Sequence, residues 1–157
     1  MRWSVIALSL FVVFALPNAV FAQSAQRETV GVSAISDKKV KSAVFNILRH
    51  YKAGGAFSAI RVLRECYGNL GDTAPYNEVE RCISMDISLC SIFKILAEGN
   101  GWPLEEYCDQ DRVTRRVGYW VDEVVAVKND RLIFMGMIAG FAKEGIEEYT
   151  AAMEKRR

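Results

Sequence analysis

Four cysteines, Cys66, Cys82, Cys90 and Cys108, constrain this chain more than any other feature. They lie among apolar residues that recur at helical spacing, and a helix fixes how far apart its cysteines stand. Four cysteines allow three pairings. Cys82 and Cys90 fall on one predicted helix, eight residues apart. At 1.5 Å per residue their α-carbons are about 12 Å apart, beyond the roughly 7 Å a disulfide tolerates. That excludes Cys82–Cys90, and Cys66–Cys108 with it. Reach then favours Cys66–Cys82 and Cys90–Cys108. Cys82 is nearer than Cys90 to the loop that follows Cys66, and Cys90 and Cys108 flank the Gly99–Gly101 turn at similar distances. Each bridge staples one helical hairpin. No C-x-x-C pair of the zinc-binding kind is present, so no metal is expected.

The periodicity predicts an all-α, single-domain bundle of about five helices stapled by two disulfides. Ser36 is a good N-cap and Asp37 suits a first turn. Val40, Val44, Ile47, Leu48 and Tyr51 follow on one stripe, and Gly54-Gly55 ends that helix. Phe57, Ile60, Leu63 and Tyr67 mark a second, shorter helix that stops at Gly68-Asn69. Pro75 takes a first helical position. Val79, Cys82, Ile83, Asp86, Ile87, Cys90 and Phe93 then run down one face until Gly99-Asn100-Gly101. Asp109 or Asp111 caps the next helix, with Val113, Val117, Trp120, Val121, Val124 and Val125 on its stripe. Its valines would also suit a strand. Helix is preferred because Arg115-Arg116 and Asp122-Glu123 then fall on wet faces. After Asn129-Asp130, Leu132, Met135, Ala139, Ala142, Ile146, Tyr149 and Met153 give the last helix.

The first twenty-two residues supply an address. Arg2, the apolar run from Ser4 to Leu16, Pro17 and the small residues Val20 and Ala22 form a secretory signal peptide, with cleavage expected before Gln23. The run falls short of the about 20 residues a membrane span needs. The expected organisation is a signal peptide at 1–22, a flexible leader at 23–35 and a helical domain at 36–157, exported to the periplasm or beyond. An even cysteine count in an exported chain reads as disulfides. With 20 basic and 19 acidic residues, the charge balance argues against nucleic acid, whose phosphates demand a basic excess.

Little points to catalysis. His50 is the only histidine and reads as a cation near a helix end. Bridged cysteines leave no nucleophile for it to activate. Glu98, Glu105, Glu106, Asp109 and Asp111 cluster around turns and read as caps and first-turn acids, not a glycosidase pair. Asp109-Gln110-Asp111 lacks the glycine and distal glutamate of a calcium loop. No catalytic residue, cofactor or metal ligand is assigned. Gly136 and Gly140, in the uncharged run Leu132–Ala142, read as the close-packed face of a buried helix. Trp102 and Trp120 read as core or rim aromatics, although exposed tryptophan suits an interface. Arg112, Arg115 and Arg116 read as a solvated basic edge.

The order of elements resembles a known family. Val62-Leu63-Arg64-Glu65-Cys66 ends a helix, and Glu80-Arg81-Cys82-Ile83-Ser84-Met85 opens a long one. Glu106-Tyr107-Cys108 then precedes Val113 and a valine-rich helix, followed by Asn129-Asp130-Arg131 and an apolar helix ending near Phe141. Over residues 60–142 this resembles the small periplasmic immunity proteins that protect bacteria from cell-wall amidase toxins delivered by type VI secretion. The resemblance implies a helical, disulfide-bonded, non-enzymatic inhibitor, often a homodimer, that obstructs a toxin's active site. It carries over Cys66, Cys82 and Cys108 alone. Cys90 is extra, Met85 and Ser88 stand where an aromatic and a glycine are expected, and the family's C-terminal cysteine is missing. The expected function is therefore an exported non-catalytic protein that binds a protein partner, such as a cell-wall amidase. The alternatives are a structural or stress-related envelope protein and a small periplasmic hydrolase.

Overall fold

The computed structural model describes residues 35–71, 74–125 and 128–155. The expected signal peptide and the leader up to residue 34 lie outside the described residues. Two adjacent glycines shape the fold. Helix α1 (Asp37–Gly68) leaves helical geometry at Gly54 (φ −149°, ψ 21°) and Gly55 (φ 65°, ψ −160°). The second conformation is in practice open only to glycine. The chain reverses there. Ser36 at the start of the first arm and Cys66 near the end of the second both meet the N-terminal part of α2 (Tyr76–Asn100), at Glu80 and Cys82. Tyr51 and Ala56, on either side of the break, both lie beside Phe93 further along α2. The first arm therefore runs parallel to α2 and the second antiparallel. The described residues hold four α-helices, not about five: the break expected to separate two helices is a reversal inside one element. Gly55→Ala forces a side chain into this conformation and is expected to cost about 1–3 kcal/mol, read as a lower urea midpoint.

A 3₁₀ turn (Glu106–Cys108), α3 (Gln110–Val124) and α4 (Lys128–Glu154) complete the order. Helix α3 runs antiparallel to α2, since Cys108 meets Cys90 and Arg116 meets Asp86. Helix α4 runs parallel to the first arm of α1. Lys41 pairs with Glu144 and Glu148, the Phe45 and Tyr149 rings are 5.3 Å apart, and Lys52 reaches Met153. The rods thus alternate in direction along the chain, as short connections require. Both expected disulfides are present, Cys66–Cys82 and Cys90–Cys108.

Several local readings need correction. The Ser36 side chain makes no cap hydrogen bond. Glu80 serves instead from across the bundle, its Oε1 accepting the Ser36 backbone N–H at 3.1 Å. Burial pushes the Glu80 carboxyl up, while Ser36 and Lys39 oppose that shift. Pro75 is the N-cap of α2 and not its first helical residue. Helix α2 continues through Asn100, and Gly101 closes it in a left-handed conformation (φ 66°). Asp109 caps α3 as expected, accepting from the N–H groups of Asp111 and Arg112. Ile35, assigned to the leader, belongs to the core. Phe57, placed on an apolar stripe, is 81% exposed beside the reversal.

The largest correction concerns α4. Its buried face is Phe134, Ile138, Ala142 and Gly145; of the expected stripe Ala142 is buried and Met135, Ile146 and Tyr149 pack against the core, but Leu132 and Ala139 face out. Leu132 is 78% exposed. Gly136 and Gly140 face outward, and a Cβ added at either would meet nothing within 4 Å. Close approach occurs one turn later, where a Cβ on Gly145 would lie 3.1 Å from Val44 Cγ2.

Candidate partner-binding groove

The site forms where three segments meet. Helix α2 contributes Ile87, Cys90, Ser91, Lys94, Ala97 and Glu98 from successive turns of one face. The chain leaving Gly101 crosses above them, and α3 closes the far side with Gln110, Val113 and Thr114. The Cys90–Cys108 disulfide forms part of the wall. The result is an open, largely apolar groove of about 700 Å³. Trp102 and Leu104 stand on its rim, and Trp102 is 64% exposed. Ile95, 60% exposed, lies on the next face of α2 and lines a second groove against Ala139, Lys143 and Ile146 of α4.

The loop that carries Trp102 is anchored at both ends. At its start the Trp102 N–H donates to the Ala97 carbonyl at 3.0 Å. At its end Cys108 is bonded to Cys90. Pro103 fixes one backbone angle between them, and Trp102, Pro103 and Glu105 share the lining of a small cavity with Tyr51, Ala56 and Phe93. A loop backbone held in this way pays little conformational entropy on docking.

Behind the groove lies a buried polar cluster. Asp86 is fully buried. Arg116 grips it with two parallel bonds, Nε to Oδ2 at 2.6 Å and Nη2 to Oδ1 at 2.8 Å, the strong bidentate geometry. The Tyr67 hydroxyl donates to Oδ2 at 3.1 Å. Arg116 also donates to the Tyr107 carbonyl at 3.3 Å, and its guanidinium lies 3.9 Å from the Tyr107 ring centre. Tyr67 stacks on Trp120. Burial, then the negative field of Asp86, pushes the Tyr67 and Tyr107 hydroxyls up, so both stay protonated. For Arg116, burial works against the charge, but Asp86 outweighs it and the guanidinium is held charged. Every charge in the cluster has a partner, and the geometry locks α3 and the 3₁₀ turn onto α2.

The structure disperses most of the other residues singled out in the sequence. His50 is half-buried on the first arm of α1, one turn before the reversal. Glu98, Glu105 and Glu106 are exposed, and Glu106 pairs with Arg112. Arg115 is exposed as expected, but Arg116 is not part of a solvated edge. Sequence reasoning missed the Asp86–Arg116 pair. The available signal was an aspartate on an otherwise apolar stripe, which a helix buries only with a partner. Among the described residues no three His, Cys, Asp or Glu side chains form a metal-binding group, and no helix is long and apolar enough to cross a membrane. The two disulfides fit an oxidising, exported setting. No family model, curated protein or solved structure matches the chain.

Proposed function

We propose that this protein works by binding a protein partner through the Trp102–Leu104 loop and the groove beneath it, as an exported inhibitor of the immunity type acting on a cell-wall amidase. The observation that carries the binding part is the rigid presentation of Trp102. Tryptophan is enriched among residues that dominate interface energies, and here it stands exposed on a loop already fixed by a disulfide and a proline. In the polar cluster behind it Asp86, Arg116 and the Tyr67 hydroxyl are bonded to one another, which leaves no unpaired acid or base there for a substrate and favours binding over catalysis. The amidase as partner rests on the sequence resemblance.

The test uses purified mature protein and a purified type VI amidase toxin, with calorimetric titration and a cell-wall hydrolysis assay in parallel. Binding accompanied by loss of hydrolysis is the expected result. Trp102→Ala is expected to weaken binding by about 2 kcal/mol, roughly thirtyfold, with the circular dichroism spectrum unchanged. A folded Trp102→Ala variant that binds as tightly as the parent would remove the groove from the interface. Hydrolysis of cell-wall fragments by the chain itself would replace the reading with the hydrolase alternative.

A further inference from the structure

The two disulfides differ in what can reach them. Cys66 and Cys82 are both buried between α1 and α2. Cys90 is half-buried and, with Cys108, lines the groove of about 700 Å³. The charges around Cys90 are also arranged unequally along α2. One turn ahead, Lys94 is exposed and lines the same groove. One turn behind, Asp86 Oδ1 lies 3.6 Å from Cys90 Sγ on the buried side. We infer that Cys90–Cys108 is a thiol-exchange site, attacked through the groove at Cys90 by an anionic low-molecular-mass thiol.

The step balances without a further oxidant or reductant. The incoming thiolate sulfur forms a bond to Cys90 Sγ while the Cys90–Cys108 bond breaks. The bonding pair leaves on Cys108 Sγ as a thiolate, which takes a proton from water. The product is a mixed disulfide on Cys90 and a free thiol at Cys108. A second thiolate attacking the outer sulfur would release Cys90, the two incoming thiols supplying both electrons. Two features choose the sulfur. Both sulfurs belong to groove-lining residues, but Cys108 is buried and Cys90 only half-buried. Negative charge on Cys90 would fall 3.6 Å from Asp86 Oδ1, an oxygen already paired to Arg116 but still in contact with that sulfur, so Cys90 is the poorer leaving group. Glu98 also lines the groove, but it stands two turns from Cys90 and Lys94 only one, so Lys94 draws the anion to the attacked side. Exchange also frees the loop that carries Trp102 from its covalent anchor. This inference stands apart from the choice of protein partner.

The experiment treats the oxidised mature protein, without denaturant, with glutathione as the probe. Samples are quenched with acid, alkylated and mapped by mass spectrometry. Glutathione on Cys90 and an alkyl group on Cys108, with Cys66–Cys82 intact, is the expected early product. The groove disulfide should open on the order of tenfold faster than Cys66–Cys82. Lys94→Glu should slow glutathione attack at low salt, because the steering charge is reversed. The inference is overturned if Cys66–Cys82 opens first or in the same step, or if glutathione lands on Cys108. A groove disulfide that resists glutathione in the folded protein, or a Lys94→Glu variant as fast as the parent, overturns it equally.

Discussion

Arg116→Ala is expected to lower folding stability by about 3–5 kcal/mol, the range found when one partner of a buried ion pair is removed. Asp86 has no access to water, and the substitution strips it of both charged hydrogen bonds. The Tyr67 hydroxyl would remain as a donor, which does not neutralise a buried charge. The reverse substitution should be milder. The Arg116 side chain is 21% exposed, so in Asp86→Ala the guanidinium can turn toward solvent. About 1–3 kcal/mol is expected there. Combining Asp86→Leu with Arg116→Met should recover much of the loss, because an apolar pair of similar volume avoids desolvating two charges. Urea denaturation of the parent and these three variants checks this ordering. Equal losses from the two single variants would mean that Asp86 reaches water by another route.

Removing the Cys66–Cys82 bridge by double substitution to alanine is expected to cost at least as much as removing Cys90–Cys108. The two close loops of similar length, with sequence separations of 16 and 18. Chain entropy therefore contributes about 3 kcal/mol to each. The difference lies in packing. Both sulfurs of Cys66–Cys82 are in the core beside Leu63, Val79 and Ile83, so their loss also opens a cavity. Of the other pair only Cys108 is in the core, and Cys90 already borders an open groove, so less packing is lost there. Urea midpoints of the two double variants, compared without reductant, measure the gap. A Cys90/Cys108 variant clearly less stable than the Cys66/Cys82 variant would show that the loop carrying Trp102 supports the core.

Local chemistry was legible in the sequence. Helical periodicity with glycine and proline punctuation indicates the all-α class, and the cap of α3 narrows to Asp109 or Asp111. The disulfide pairing followed from the rise of a helix and the reach of a disulfide, both of which are properties of neighbouring residues. Other features were legible only in part. Gly54-Gly55 was read as a break, but whether the second arm continued, bent or reversed depends on what it packs against. The exposure of Trp102 is not legible in the sequence, since an indole after Gly101 suits either a rim or a core.

Faces and partners were decided by the tertiary structure alone. Residues 132–142 carry no charge, so every face of that part of α4 looked equally fit for burial. Packing against its neighbours, as where Phe134 meets Tyr76 of α2, selected Phe134, Ile138 and Ala142 and turned Leu132 and Gly136 outward. Arg116 looked like its neighbour Arg115 in a basic run, yet one grips a buried aspartate and the other faces water. Asp86 and Arg116 are thirty residues apart, and Ser36 and Glu80 forty-four. Periodicity reports which side chains share a helix face, because rise and twist are set locally. Which face meets another helix, and which charges then meet each other, is set by segments distant in sequence, and that information exists only once the chain has folded.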